Sequence, residues 1–195
     1  MSLRLPAAAR RRQLLDHALE VFAERGFHST SMNDVAEAAG VTKPVLYQHF
    51  GSKRDLYLKL LDDVGGQLQE QILLATAAAE SPRGQVEAGF AAYFRFVVEH
   101  RSAFSLLFGS DNRFDVEFAG TVRRVESAIA EAVAGLIEAD LDHEHRRTLA
   151  YGVVGLAEVT SRHRIADGVE LDPGRLARQI ADLAWAGLRG VRRLE

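Results

Sequence analysis

Apolar positions recur at i, i+3 and i+4 along nearly the whole chain, and the alternating β-branched runs that mark strands are absent, so the pattern predicts an all-α protein. The first helix is expected from about Ala8 to Arg25, with Leu15, Ala18, Leu19 and Phe22 on one face. Gly26 ends it, and Phe27 supplies the apolar contact that follows a left-handed cap. Three short, sharply punctuated segments come next. Ser31-Met-Asn-Asp34 reads as a capping box opening a helix that runs to Ala39 and stops at Gly40-Val41. Thr42 can cap a helix of about two turns reaching Phe50, with Pro44 in its first turn, where no intrahelical N–H is needed. Ser52-Lys-Arg-Asp55 reads as a second capping box, opening a long helix.

Beyond that point the expected helices lengthen. Ser81-Pro-Arg-Gly84 reads as a linker before a helix of about Gln85 to His100, followed by a short aromatic helix around Ala103 to Phe108. Helices of about Asp115–Ala139, Asp142–Ala166 and Arg175–Val191 complete the count at about nine. This organisation predicts a small module over residues 1–55 and a larger one over 56–195.

Composition narrows the function classes. The 195 residues are 47% hydrophobic and 26% charged with only 4 prolines, which suits a fully packed chain of one small and one medium module. The absence of cysteine excludes disulfides, thiol nucleophiles and thiolate metal sites. No apolar run approaches the ~18 residues of a membrane span, and the opening MSLRLPAAARRRQ lacks the apolar core of a secretory signal, so a cytoplasmic protein without membrane contact is expected. The net charge of −3 conceals an asymmetry. Residues 1–60 hold 9 Lys/Arg against 6 Asp/Glu, and the remainder 15 against 21, so the basic N-terminal module is the one suited to a polyanion.

Two short helices joined by Gly40-Val41 have the spacing of a helix-turn-helix, whose second helix can enter a major groove. At 100° per residue Leu46 and Phe50 face the core, while Pro44, Val45 and Gln48 point away, with Tyr47 on the flank. Small, apolar and amide groups on that outer side suit base edges, since Gln can pair with adenine and Val can touch a thymine methyl. Lys43, Tyr47, His49 and Lys53, with the hydroxyls and N–H groups at Ser31 and Thr42, suit phosphates. A plain helical hairpin with a solvated face is the alternative that this spacing leaves open.

The stretch Gly26-Phe27 through Ser31-Met-Asn-Asp-Val-Ala-Glu-Ala-Ala-Gly-Val-Thr-Lys-Pro-Val-Leu-Tyr-Gln-His-Phe-Gly-Ser-Lys53 resembles the DNA-binding signature of the tetracycline-repressor (TetR/AcrR-like) family, over roughly residues 10–60. The resemblance implies a recognition helix at Thr42–Phe50, with Tyr47, His49 and Lys53 on phosphates, Lys43, Pro44, Val45 and Gln48 near bases, and Asn33 at the groove edge. Met32 stands where that family often has a small hydroxyl residue. It further implies a C-terminal helical module with a cavity, dimerisation through the last two long helices, and the helix beginning near Ser52 as the lever between modules. The expected protein is a homodimeric regulator on a pseudo-palindromic double-stranded operator, a repressor released by a small apolar or amphipathic effector. A DNA-binding regulator without effector, or an activator, is the first rival; a helical interaction protein without DNA binding is the second.

The rest of the chain offers weaker chemistry. Phe90, Tyr93, Phe94, Phe104, Phe108 and Phe118, with Val122, Tyr151 and Glu158, are candidates to line the effector cavity, although aromatic stripes at helical spacing are more often plain core. Glu158 and Arg162 stand i, i+4 apart and read first as an ion pair. His143-Glu144-His145 lacks the i, i+4 spacing or further partner of a metal site, and neither a triad nor a glycine-rich phosphate loop occurs, so no enzyme, metal or cofactor is expected. For the dimer, Leu149, Val153, Leu156 and Val159 on one long helix and Leu176, Ile180, Leu183, Ala184, Gly187 and Leu188 on the other supply apolar surface.

Overall fold

In a computed structural model, residues 6–109, 112, 115–137, 140–168, 170 and 172–191 are described. The predicted end of the Asp115 helix, at residues 138 and 139, lies outside them. Nine helices occur among the described residues: α1 Ala7–Ser29, α2 Met32–Ala38, α3 Lys43–His49, α4 Lys53–Ala77, α5 Pro82–Glu99, α6 Arg101–Phe108, α7 Val116–Leu136, α8 His143–Ala166 and α9 Pro173–Gly190. No described helix is long and apolar enough to cross a membrane.

The helix ends follow from local chemistry. Gly26 interrupts α1 at φ 75° and ψ 166°, a conformation open to glycine alone, so the helical turn resumes through Ser29 instead of stopping at Arg25. Ser81-Pro82 opens α5 and is no linker. The Ser81 hydroxyl accepts from the Gly84 N–H at 3.1 Å, and Pro82 takes the first helical position, where its missing N–H costs nothing. Asp142 and Asp172 cap α8 and α9 in the same way, from the N–H groups of His145 and Arg175.

The chain packs as two units, one of Met1–Val64 and Ser102–Val122, the other of Gly65–Arg101 and Arg123–Glu195. The first unit thus takes in a segment that the sequence pattern grouped with the larger module. Its core joins Leu14, Leu15, Ala18 and Phe22 of α1 to Val35 of α2, Leu46 of α3 and Leu56 and Leu60 of α4, all buried. Phe118, from the start of α7, stands 4.7 Å from Phe27 and 4.6 Å from Tyr57 between ring centroids, and Tyr57 in turn lies edge-on to Phe22 at 5.0 Å. Polar ties reinforce this cluster. The Tyr57 hydroxyl donates to Asn112 at 3.1 Å, Asn112 donates to the Leu106 and Leu107 carbonyls, and Arg54 holds both Asp115 and Glu117.

In the second unit α9 packs chiefly on α5. The later part of α4 meets α7 at Gly65, where a β-carbon would fall 2.4 Å from the Val125 side chain, so only glycine permits that approach.

Candidate functional site

The helix-turn-helix is fixed at each of its ends. Ser31 and Asp34 form a reciprocal box: the Asp34 N–H donates to the Ser31 hydroxyl, and the Ser31 N–H donates to Asp34 Oδ2 at 2.7 Å. The Ser31 hydroxyl also donates to that carboxylate, and these bonds hold the Asp34 carboxyl below its ordinary range. At the turn the Val41 N–H reaches the Ala36 carbonyl and the Gly40 N–H the Glu37 carbonyl, with Gly40 at φ +63°. The chain therefore reverses within two residues and sets α3 beside α2.

On α3, Leu46 is fully buried and Phe50 follows it into the core, while Lys43, Pro44, Tyr47 and Gln48 are exposed and Val45 and His49 half-buried. Positions 43, 44, 47 and 48 share one side of the helix. That side offers one amide, one proline ring, a phenol and an ammonium that lies 5.9 Å over the Tyr47 ring. No acidic side chain occurs within α3, so nothing on the helix itself repels a phosphate.

The second unit holds a partly open cavity of about 260 Å³. Its walls come from α4 (Ile72, Thr76), α5 (Val86, Phe90, Tyr93), α7 (Ile129, Val133), α8 (Val153, Ala157) and α9 (Trp185, Leu188, Arg189), and are largely apolar.

Residues 14–60 match the family of bacterial regulatory proteins of the tetR type, and residues 82–187 match a tetracyclin repressor-like C-terminal domain. The HTH-type transcriptional activator FasR of Mycolicibacterium smegmatis is 34% identical over 190 residues, covering 96% of this chain and 87% of that protein. The chain belongs to the TetR family. It is a transcriptional regulator with an N-terminal helix-turn-helix and a C-terminal helical domain. Among solved structures, a TetR-like transcriptional regulator from Rhodococcus sp. RHA1 matches this TetR chain with a TM-score of 0.76 and 33% identity, over 96% of this chain and 100% of the other. FadR from Bacillus subtilis, solved in complex with stearoyl-CoA, shares the fold at a TM-score of 0.75 and 18% identity, over 93% and 99% of the two chains.

Within this TetR fold the expected DNA contacts divide. Asn33, Thr42, Lys43, Pro44, Tyr47 and Gln48 are exposed on α2, α3 and the turn between them. Ser31 is exposed too, but its hydroxyl is engaged with Asp34. Thr42 occupies the cap position of α3 without a side-chain cap bond. Pro44 has no N–H to offer, and the Val45 N–H goes to the Thr42 carbonyl at 2.9 Å, so nothing remains for the hydroxyl to accept. Lys53 differs most from its expected place on a phosphate. Its ammonium donates to the Phe27 and Thr30 carbonyls at 2.8 Å each, approaches that of His28 at 3.5 Å, and sits 4.3 Å over the Phe27 ring. The box at Ser52 is also altered: Ser52 caps Asp55, but the Asp55 carboxylate reaches back to the Gly51 N–H instead of that of Ser52.

Of the expected cavity residues, Phe90 and Tyr93 are on its wall. Phe94 is buried beside them in the core, with its ring 5.7 Å from Tyr93. Phe104, Phe108, Phe118 and Val122 belong to the first unit, where Phe118 packs on Phe27 and Tyr57. Tyr151 is 40% exposed and its hydroxyl bonds Ser127 and Arg147, while Glu158 pairs with Arg162 at 2.8 Å. His143 Nε2 lies 3.3 Å from a Glu131 carboxylate oxygen. The walls from α7 and α9 were missed, because Ile129, Val133 and Trp185 look like any core-facing helical positions.

Proposed function

We propose that this TetR-family protein is a homodimeric repressor that holds a pseudo-palindromic operator through the outer side of α3 and leaves it when a small apolar or amphipathic molecule fills the cavity. The observation that carries the reading is that α4 and α7 each serve both units. α4 supplies Leu56 and Tyr57 to the first core and Ile72 and Thr76 to the cavity wall; α7 supplies Phe118 to the one and Ile129 and Val133 to the other. A ligand with different affinity for two settings of these helices shifts the population of DNA-competent protein by that difference. In this reading Gln48, Val45 and Pro44 meet base edges, Asn33 the groove edge, and Lys43, Tyr47, His49 and Thr42 the phosphates, whereas Ser31, whose N–H and hydroxyl both go to Asp34, fixes the start of α2. FadR with stearoyl-CoA supports an acyl-type ligand as within the capacity of the fold.

Two recognition helices presented ~34–36 Å apart require a twofold pair. The surface offered for it is narrower than the apolar stripe of the sequence. Leu176 and Ala184 are buried within the unit and Val153 and Leu188 line the cavity, whereas Leu183 is 58% and Val159 44% exposed. Gly152, Gly155 and Gly187 have open space where a β-carbon would stand, which permits close approach of another helix. The FasR relative carries the name activator, so activation is the second reading. Gel shifts with DNA upstream of the chain's own and adjacent genes, joined to sedimentation and a promoter reporter, test both. The expected result is a dimer on a palindromic site that lowers transcription until ligand is added. A stable monomer binding one half-site with full affinity overturns the assembly, and a reporter that falls on deletion of the protein decides for activation.

A further inference from the structure

The cavity wall carries charge at one place only. Of its eighteen residues Arg189 alone is charged, and Thr76, Gln85, Tyr93 and the Trp185 indole N–H are the other polar groups. Thr76 spends its hydroxyl on the Ile72 and Leu73 carbonyls of its own helix. The Tyr93 hydroxyl is shut away from solvent beside Ser161, and burial with Glu158 nearby pushes it well up from its ordinary value, so it offers the cavity a ring and no charge. What remains is Gln85, the Trp185 N–H and the guanidinium, of which only the last carries charge.

Burial orients the cavity. Phe90, Ile129 and Ala157 are buried at its floor, whereas Pro82 and Arg189 are exposed and mark its mouth. Arg189 stands in the last turn of α9 and forms no hydrogen bond or ion pair with any described residue, while Arg83, Arg147 and Arg162 of the same unit each hold a carboxylate. A molecule with its apolar chain toward Phe90 and Ile129 leaves its other end at a guanidinium fork that no described carboxylate holds, a group matched to carboxylate and phosphate oxygens.

We infer that Arg189 is the specificity residue of the cavity, selecting molecules that carry a carboxylate or phosphate at the end of an apolar chain over neutral or cationic molecules with the same chain. The inference rests on the reading of this cavity as the effector site. Because Arg189 is exposed, screening keeps the preference moderate, roughly three- to fivefold in affinity. The full chain is titrated calorimetrically with decanoate, decyl phosphate, decanol and decyltrimethylammonium, as wild type and as Arg189→Gln and Arg189→Lys. Wild-type protein should bind the two anions about three- to fivefold more tightly than decanol, and bind the cation most weakly. Arg189→Gln should bring the anions to the level of decanol while leaving decanol unchanged, which also certifies that the variant is folded, and Arg189→Lys should keep most of the preference. Loss with one anion alone identifies which headgroup the fork takes. If Arg189→Gln binds both anions as wild type does and decanol still binds, the side chain is only a solvated rim and the inference falls while the cavity reading stands. If no probe binds, or all bind equally to a Val86→Trp variant with the cavity filled, both fall together.

Discussion

The α2–α3 segment and the cavity wall are both helical, yet they are specified by different means. In the first, each reversal of the chain is tied to one residue type: Ser31 and Asp34 at one end of α2, Gly40 with positive φ at the other, Pro44 in the first turn of α3. In the second, five helices contribute Ile, Val, Leu and Phe side chains that exchange readily without altering the fold, and only the void among them matters. DNA is a ligand of constant shape and charge, so its reader needs a rigid backbone and leaves a motif. A cavity needs only missing volume, which several sequences can leave.

The comparison breaks most severely at Phe118. Its sequence position suggested the cavity, but its ring fills the core of the DNA-binding unit, so Phe118→Ala should cost about 3–5 kcal/mol in urea denaturation and take operator binding with it. A loss below about 1 kcal/mol would return Phe118 to the candidates for the cavity wall. Next in size is Gln48→Ala, expected to relax preference at one base step per half-site at a cost of ~1–3 kcal/mol. Selection from random DNA measures this, and an unchanged motif would remove Gln48 from base readout. Tyr47→Ala should instead weaken all sequences alike.

Glycine sharpens the contrast between punctuated and uninterrupted helix, because the same substitution should have opposite signs at the α2–α3 turn and inside α4. Gly40→Ala places a β-carbon at φ +63° and should destabilise by ~1–2 kcal/mol, whereas Gly66→Ala, inside α4 with open space beside it, should stabilise by ~0.5–1 kcal/mol. Thermal melts of both variants give the two signs. Lys53→Met should lower stability through the freed Phe27 and Thr30 carbonyls yet leave the slope of log affinity against log salt unchanged. A slope reduced by about one would show that the ammonium leaves these carbonyls for a phosphate on DNA.

The smallest effect concerns acid. The Asp115 carboxyl is held at about 2, chiefly by its hydrogen bond from Arg54, against an ordinary 3.8. Its folded value lies below the unfolded one, so the pair stabilises fully above the unfolded value and is lost as pH falls toward about 2. An Arg54→Met variant should therefore show a shallower acid limb between about pH 4 and 2. Superimposable limbs would show that this exposed pair contributes nothing.

Where the sequence was legible, it was through residues whose backbone chemistry admits few alternatives. Gly40, Pro44 and the Ser31/Asp34 pair locate the helix-turn-helix and leave Lys43, Tyr47 and Gln48 outside it by simple angular spacing. Spacing also showed which side of α3 is buried, since Leu46 must face inward if Phe50 does. It could not show that the Lys53 ammonium would find the carbonyls released at Gly26, because those acceptors lie 23 to 26 positions away and exist only after α1 turns at that glycine.

The sequence by itself determined the all-α class, the punctuation of α2 and α3 and the outward side of α3, since these depend on residues within a turn or two of one another. Tertiary structure alone decided that Ser102–Val122 joins the DNA-binding unit, that Leu183 rather than Leu188 faces outward, and that Arg189 is left at the mouth of the cavity. Each of these is a choice among faces of similar polarity, resolved by packing between segments tens of residues apart, and packing density carries no local signature.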